Sequence, residues 1–185
     1  MSAVVPDTAP HPHVVPVVLA PLRPGDSDTV LQVFDELGPR SRALRFLTPK
    51  PRLTGTDLDA LIDVDGYDRV ALVARADGHP VGIARFVRDH EDPTAAEAAV
   101  TVVDSWQRRG VGTRLASALA DRARELGITR ILLAMSHDNE AAVRLMHRIA
   151  DDPTRLGIGS GIVEFEIFLT AVRRRRGYPL AGVCA

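Results

Sequence analysis

Apolar residues recur with two different periods along this chain, and the two periods alternate. Continuous or alternating apolar runs predict strands at residues 14–22, 69–75, 80–88, 97–103, 128–135 and 161–170. Apolar residues three or four positions apart predict helices near residues 26–37, 41–46, 54–62, 111–126 and 139–149. This alternation predicts an α/β protein with a mixed sheet and helices packed on both faces.

Turn-forming residues separate these elements. Asp77-Gly78 lies between two β-rich runs and predicts a hairpin, while Gly127 is placed to end a long helix. Asp138 or Asn139 is a suitable N-cap for the helix that follows. Residues 151–161 contain no clear period, so we expect a loop there.

The predicted elements lie in one domain. Residues 1–13 are rich in proline and lack a hydrophobic period, which predicts a flexible leader. We expect the folded domain to span residues 14–171, followed by an arginine-rich tail at residues 172–185 that contains the run from Arg173 to Arg176. A chain of 185 residues is long enough for one domain with a substantial core.

Composition narrows the classes of function. The net charge is −1 and only 4% of the residues are aromatic, which disfavours a nucleic-acid-binding module. The single cysteine, Cys184, excludes an internal disulfide and a cysteine-based zinc site, and no metal is expected. No apolar run has the length of a membrane span. We therefore expect a soluble, cytoplasmic protein, either a monomer or a homodimer.

The segment from Val102 to Thr113 carries the most chemical information. It runs from an apolar strand through a turn containing Gly110 and Gly112 into an amphipathic helix. Backbone N–H groups at the start of a helix have no intrahelical partner and favour an anion such as a phosphate. Arg108 and Arg109 add positive charge to the same turn. An alternative is that the two glycines only shape a tight turn.

Two common phosphate-binding motifs do not fit this segment. A P-loop needs Gly-Lys-Ser/Thr, but Gly112 is followed by Thr113 and Arg114. A dinucleotide-binding turn needs a third glycine where Leu115 stands. The sequence therefore predicts neither a P-loop nor a dinucleotide-binding site.

A longer pattern does match. Gln-Arg-Arg-Gly-Val-Gly at residues 107–112 resembles the Gln/Arg-x-x-Gly-x-Gly/Ala signature of the GNAT acetyltransferases, and Asn139 opens the next helix as in the second motif of that family. The resemblance implies the GNAT fold and acetyl-CoA as the acyl donor. It also implies the residues that hold this co-substrate: Val102, Val103, Gln107, Arg108, Arg109, Gly110, Val111, Gly112, Thr113 and Asn139. In this interpretation the backbone of Val102 and Val103 pairs with the pantetheine arm, and the N–H groups of the turn hold the pyrophosphate.

A narrower resemblance is to bacterial protein lysine acetyltransferases of the Pat type. It rests on residues 37–46, 69–74 and 161–166 and implies Glu97 as the general base and a protein lysine as the acceptor. The chemistry itself needs a base, because a lysine amine with a pKa near ~10.4 is mostly protonated at neutral pH. Partial burial would raise the pKa of such a base, and the alanines around Glu97 offer little competing charge from its sequence neighbours. The alternative is a glutamate on the solvent face of a strand.

The general acid and the oxyanion donor are less clearly specified. Many family members have a tyrosine where this chain has Met146, which cannot donate a proton. The thiolate leaves unassisted, or Ser136, His137 or His147 assists it. The backbone N–H of Val102 or Val103 is the expected oxyanion donor.

Two further functions stay open beside a protein lysine acetyltransferase. One is a small-molecule amine acetyltransferase acting on a polyamine, an antibiotic or an amino acid. The other is a non-catalytic acyl-CoA sensor, which the Met146 departure permits. Turnover distinguishes the sensor from both enzymes.

Overall fold

The computed structural model describes residues 15–150 and 152–169. The leader at residues 1–13, the run from Arg173 to Arg176 and Cys184 lie outside the described residues, so the predictions for them stay predictions. Within the described part, no helix is both long and apolar enough to cross a membrane.

One mixed sheet with helices on both faces forms the structure, which confirms the predicted α/β class. The elements in chain order are β1 (Val17–Pro21), α1 (Ser27–Asp35), α2 (Pro39–Phe46), α3 (Gly55–Ile62), β2 (Arg69–Ala76), β3 (His79–Arg88), β4 (Ala95–Val102), α4 (Val111–Glu125), β5 (Arg130–Ser136), α5 (Glu140–Ile149), β6 (Thr154–Gly159) and β7 (Ile162–Phe168). The strand order is β1-β2-β3-β4-β5-β7-β6, and only β4 and β5 are parallel.

Two apolar layers cover the sheet. On one face, Leu115 and Ala123 of α4 pack with Ala84 and Phe86 of β3, and all four are almost fully buried. On the other face, Val30 of α1 and partly buried residues of α3 pack against Ala71 and Val73 of β2. Adjacent β2 residues face opposite layers, because side chains alternate along a strand.

The prediction of a loop at residues 151–161 is wrong, because β6 lies within it and pairs antiparallel with β7. The glycines of Leu156-Gly157-Ile158-Gly159 hide the strand pattern, and Gly157 lies beside an irregularity in the register. Ser160 and Gly161 have φ values of 51° and 79°, which matches a tight hairpin turn between the two strands. Pairing with β7 overrides the weak local preference of this segment.

Two helices over the sheet, α1 and α3, begin with side-chain caps. Asp26 accepts a hydrogen bond from Thr29 N at the start of α1, and Thr54 and Asp57 form a reciprocal capping box at the start of α3. Lys50 donates to Asp57 at 2.8 Å, and the hydrogen bonds from Lys50 and Thr54 lower the pKa of Asp57 to about 2. These caps fix the starts of α1 and α3.

Candidate active site

Strands β4 and β5 separate soon after they begin to pair. Their parallel register runs only from Ala95 opposite Arg130 to Glu97 opposite Leu132. Beyond Glu97, β4 continues to Val102 and β5 continues to Ser136 without pairing with each other. The centre of the sheet is therefore split, and Glu97 lies at the point where the strands part.

The backbone of β4 can be assigned to two edges from its ladder with β3. Val103 N donates to Val81 O at 3.1 Å and Asp89 N donates to Ala95 O at 2.9 Å, so odd-numbered residues of β4 form the hydrogen-bonded pairs. In an antiparallel ladder such pairs alternate with pairs whose N–H and C=O groups face away. The backbone groups of Ala98, Val100 and Val102 therefore face the split.

A cleft of about 490 Å³ fills this split. Its lining comes from both separated strands, the N-terminal half of α4, α5 and one side of α2. Because α4 lies over one face of the sheet and the cleft also reaches Ser41 and Arg45 of α2, the cleft passes through the plane of the sheet. A ligand in the cleft would be accessible to a second molecule on the α2 side.

The N-terminus of α4 lies at the wall of the cleft. Gly110 is its N-cap and has a φ of 81°, a conformation that glycine adopts without strain, and Arg108 also has a positive φ of 60°. The N-cap makes no side-chain hydrogen bond, and the first intrahelical bond runs from Arg114 N to Gly110 O. The N–H groups of the first turn are thus available to an anion at the cleft.

The side chain of Gln107 organises the turn. Its Nε2 donates to Val102 O at 3.1 Å, to Asp104 Oδ1 at 3.0 Å and to Ser41 Oγ at 3.2 Å. The other oxygen of Asp104 accepts from Gly38 N at 3.1 Å. Gln107 therefore connects β4 to α2 and positions the turn, a role that the sequence did not predict.

Several of the predicted binding residues do not face the cleft with their side chains. Val103 is fully buried and its N–H is bonded to Val81 O, so the expectation that Val103 pairs with a ligand or donates to an oxyanion is wrong. The side chain of Val111 lies in the core, and the guanidinium of Arg109 stacks 5.0 Å from the Trp106 ring. The backbone of these turn residues is still part of the helix N-terminus. By contrast, the cleft lining includes Val102, Gln107, Arg108, Gly110, Gly112, Thr113 and Asn139.

Asn139 lies where β5 passes into α5. Its side-chain oxygen accepts from Ala142 N at 3.1 Å, which makes Asn139 the N-cap, and the residue also lines the cleft. Met146 of α5 is buried and lines the same cleft.

None of the three candidate acids is part of the cleft lining. Ser136 Oγ donates to Asp138 Oδ1 at 2.5 Å, His137 Nδ1 lies 3.2 Å from Gly161 O, and His147 is exposed. The hydrogen bond from Ser136, with the charge of Arg40 as a further cause, lowers the pKa of Asp138.

Glu97 faces the α2 side of the sheet with an exposed side chain, which agrees with the alternative of a glutamate on the solvent face of the strand rather than with partial burial. Its sequence neighbours carry no charge, but the fold brings two distant charges close to it. Arg45 of α2 and Arg85 of β3 both interact electrostatically with Glu97. Sequence reasoning missed these arginines because they lie 52 and 12 positions before Glu97 (97 − 45 and 97 − 85), on other elements.

Among the residues that the structure describes, no cluster of three or more His, Cys, Asp or Glu side chains could hold a metal ion.

Comparison with known proteins relates this chain to a family of acetyltransferases. The Acetyltransferase (GNAT) family matches residues 39–150. Acetyltransferase Pat of Mycolicibacterium smegmatis is 32% identical over 151 residues, which cover 80% of this chain and 45% of that protein, so the chain spans less than half of the length of Pat. Acetyltransferase PA5475 of Pseudomonas aeruginosa is 33% identical over 129 residues, covering 68% of this chain and 69% of that protein.

Solved structures agree with these relatives. The GNAT domain of S. lividans PAT has a TM-score of 0.74 at 26% identity and covers 81% of this chain and 89% of that one. Salmonella typhimurium yncA, solved with its cofactor acetyl-CoA, shares the fold with a TM-score of 0.63 at 18% identity, covering 90% and 99% of the two chains. The resemblance inferred from residues 107–112 is confirmed: this chain belongs to the GNAT acetyltransferase family.

Proposed function

We propose that this protein is an acetyl-CoA-dependent N-acetyltransferase that transfers an acetyl group to a primary amine, with a protein lysine as the acceptor. The observation that carries the proposal is the split between β4 and β5, which opens a cleft through the sheet beside the N-terminus of α4. The donor and the acceptor can therefore approach each other from opposite faces of the sheet.

The residues of the cleft fit acetyl-CoA. The free edge of β4 at Val100 and Val102 offers backbone groups to the amide-containing pantetheine arm, as an additional strand would use them. The N–H groups of the first turn of α4, with Arg108 beside them, suit the pyrophosphate. The amide NH₂ of Asn139 can donate to a pantetheine carbonyl. When bound, this co-substrate supplies the activated thioester.

The residues on the α2 side supply the acid–base chemistry. Glu97 accepts a proton from the incoming ammonium or amine, directly or through one water, so that the nitrogen can form a bond to the acyl carbon. The backbone N–H of Ala98 or Val100 faces the cleft and is the oxyanion donor in this proposal. The carbon–sulfur bond then breaks and coenzyme A leaves as the thiolate. None of Ser136, His137 and His147 lines the cleft, which favours unassisted departure.

The protein lysine as acceptor rests on the similarity to Pat. A small-molecule amine is the second candidate, and similarity to L-2,4-diaminobutyric acid acetyltransferase of Streptomyces coelicolor favours it, at 39% identity over 83 residues. A non-catalytic acyl-CoA sensor is the candidate of a different class.

Three measurements on the full chain separate these functions. Calorimetry with acetyl-, propionyl- and succinyl-CoA measures donor binding, and release of free thiol in the presence of amines measures turnover. Mass spectrometry of lysine peptides and small amines identifies the acetylated product. Donor binding with acetylation of an amine supports the proposal, whereas binding without turnover on any amine supports the sensor. Absence of donor binding would exclude both the acetyltransferase and the acyl-CoA sensor.

A further inference from the structure

A small cavity adjoins the cleft on the α2 side of the sheet. It has a volume of about 40 Å³, which exceeds the space of one water and suits a carboxylate-sized group. Arg45 of α2, with Ala99 and Thr101 of β4, lines both the cavity and the cleft, and Arg85 of β3 lines the cavity. The two spaces are therefore adjacent, with Arg45 between them, at the position where an acceptor would approach the split.

The guanidinium of Arg45 lies at the wall shared by the cavity and the cleft. Burial, with the nearby charge of Arg85, lowers the pKa of Arg45 to about 10, so the group stays protonated at neutral pH. Across residues 15–150 and 152–169, no acceptor lies within hydrogen-bonding distance of Arg45 and no carboxylate lies within 4.0 Å. Its Cζ lies 5.0 Å from the centroid of the Phe46 ring. Arg45 is half-buried and its donors have no acceptor in the described part of the chain, so they are available to an anion that enters from the cleft.

The second arginine has spare donors as well. Arg85 donates one hydrogen bond, from Nη1 to Ala60 O at 2.9 Å, while its buried Nε has no partner in the described part of the chain. The carboxylates that interact with Arg85 are Asp63 and Glu97. Asp63 forms an ion pair with Arg69 at 3.1 Å, and Glu97 is exposed and beyond ion-pair distance of both arginines. The cavity thus has an excess of positive charge next to the proposed base.

We propose that Arg45, supported by Arg85, binds a carboxylate of the acceptor, so that the preferred acceptor carries a carboxylate close to its reacting amine. This inference rests on the proposed function. The flat guanidinium of Arg45 can donate two parallel hydrogen bonds to a carboxylate, which orients the acceptor while its amine meets Glu97. The carboxylate can come from a free diamino acid or from an acidic residue beside a lysine in a protein.

Matched acceptors test the proposal with the full chain and saturating acetyl-CoA. L-2,4-diaminobutyrate is compared with 1,3-diaminopropane, and L-lysine with 1,5-diaminopentane, because each pair differs only by the carboxylate. A third pair consists of lysine peptides in which the neighbouring residue is glutamate or glutamine. We expect kcat/KM to be about 10- to 100-fold higher for the acidic member of at least one pair. The responding pair identifies the source of the carboxylate.

Variants assign that preference to Arg45. Arg45→Gln is expected to bring the ratio within the responding pair close to one, and Arg45→Lys to keep an intermediate ratio because it retains the charge but loses the planar fork. Arg155→Gln removes an exposed arginine of β6 and is expected to leave the ratio unchanged. Thermal unfolding checks that each variant is folded. If Arg45→Gln does not fold, Arg45→Lys takes its place in the comparison.

The outcomes separate this inference from the proposed function. If amines are acetylated with equal kcat/KM whether or not they carry a carboxylate, this inference is wrong and the acetyltransferase proposal stands. If Arg45→Gln lowers the activity on both members of a pair equally, Arg45 has a structural role and the inference is also wrong. If no amine in any pair is acetylated, the proposed function itself fails.

Discussion

Strand β4 has two edges that differ in construction. The edge toward β3 pairs continuously from Ala96 opposite Arg88 to Val102 opposite Gly82. The edge toward β5 pairs only from Ala95 to Glu97 and then borders the cleft. The same extended segment thus completes a ladder on one side, and on the other its backbone groups beyond Glu97 have no strand partner.

The difference shows how this fold separates stability from binding. The paired edge holds β4 in the sheet, so the free edge keeps its shape without a neighbouring strand. An exposed strand edge usually risks pairing with another chain. Here α2, α4 and α5 surround the free edge, which restricts access to a ligand that fits the cleft.

The largest expected effect is on turnover, at Glu97, where β4 stops pairing with β5. Replacing Glu97 with glutamine keeps the side-chain size but removes the base, so we expect kcat/KM for amine acetylation to fall about 10²- to 10⁴-fold at neutral pH. Calorimetry is expected to give unchanged acetyl-CoA affinity. Glu164→Gln, which changes an exposed glutamate of β7, is the matched control. Unchanged turnover in Glu97→Gln would remove Glu97 from the mechanism.

Proline substitutions compare the two edges directly. Thr101→Pro removes an N–H on the paired edge and is expected to cost about 3 kcal/mol of unfolding free energy. Val100→Pro removes an N–H that faces the cleft, so we expect a smaller loss of stability and at least a roughly ten-fold loss of acetyl-CoA affinity. Urea unfolding and calorimetry measure the two quantities. The assignment of the edges would be wrong if Val100→Pro were the less stable variant.

The link between the turn and α2 is expected to have an intermediate effect. A Cβ at position 38 would lie 2.7 Å from Asp104 Oδ2, so we expect Gly38→Ala to lower the unfolding free energy by about 1–3 kcal/mol. Asp104→Ala removes the clashing atom. Gly38→Ala should therefore lower the unfolding free energy by less in the Asp104→Ala background than in the unaltered chain. A double-mutant cycle measures this coupling. Simple additivity of the two losses would contradict the contact.

The two glycines of the signature should give the smallest effects and should differ from each other. Gly110 has a φ of 81°, so Gly110→Ala is expected to cost about 1 kcal/mol of stability. A Cβ at Gly112 would lie 3.6 Å from Val102 Cγ2, an ordinary contact, so Gly112→Ala is expected to be nearly neutral. Urea unfolding of both variants tests the difference. Equal losses would mean that the turn conformation does not distinguish the two positions.

The sequence predicted individual strands and helices better than the way in which the strands pair and part. Periodicity located β2, β3, α4 and α5, and the signature at residues 107–112 identified the turn, because these features depend on neighbours close in the chain. Strand β6 was missed because its glycines remove the side chains that define a strand pattern, and its pairing with β7 is a tertiary effect.

The site was only partly predictable for the same reason. The position of Glu97 at the split depends on where β4 and β5 stop pairing, which no local pattern records. Arg45 and Arg85 come together with Glu97 only because α2 packs over the end of the split. Val103 was assigned to the wrong role because the sequence does not reveal which edge each residue of β4 faces.

A crystal structure of the full chain with acetyl-CoA tests the central claim most directly. We expect the pantetheine arm along the free edge of β4, with hydrogen bonds to the backbone of Val100 or Val102, and the pyrophosphate at the first turn of α4. Electron density for acetyl-CoA outside the split, with the free edge of β4 unoccupied, would contradict the account.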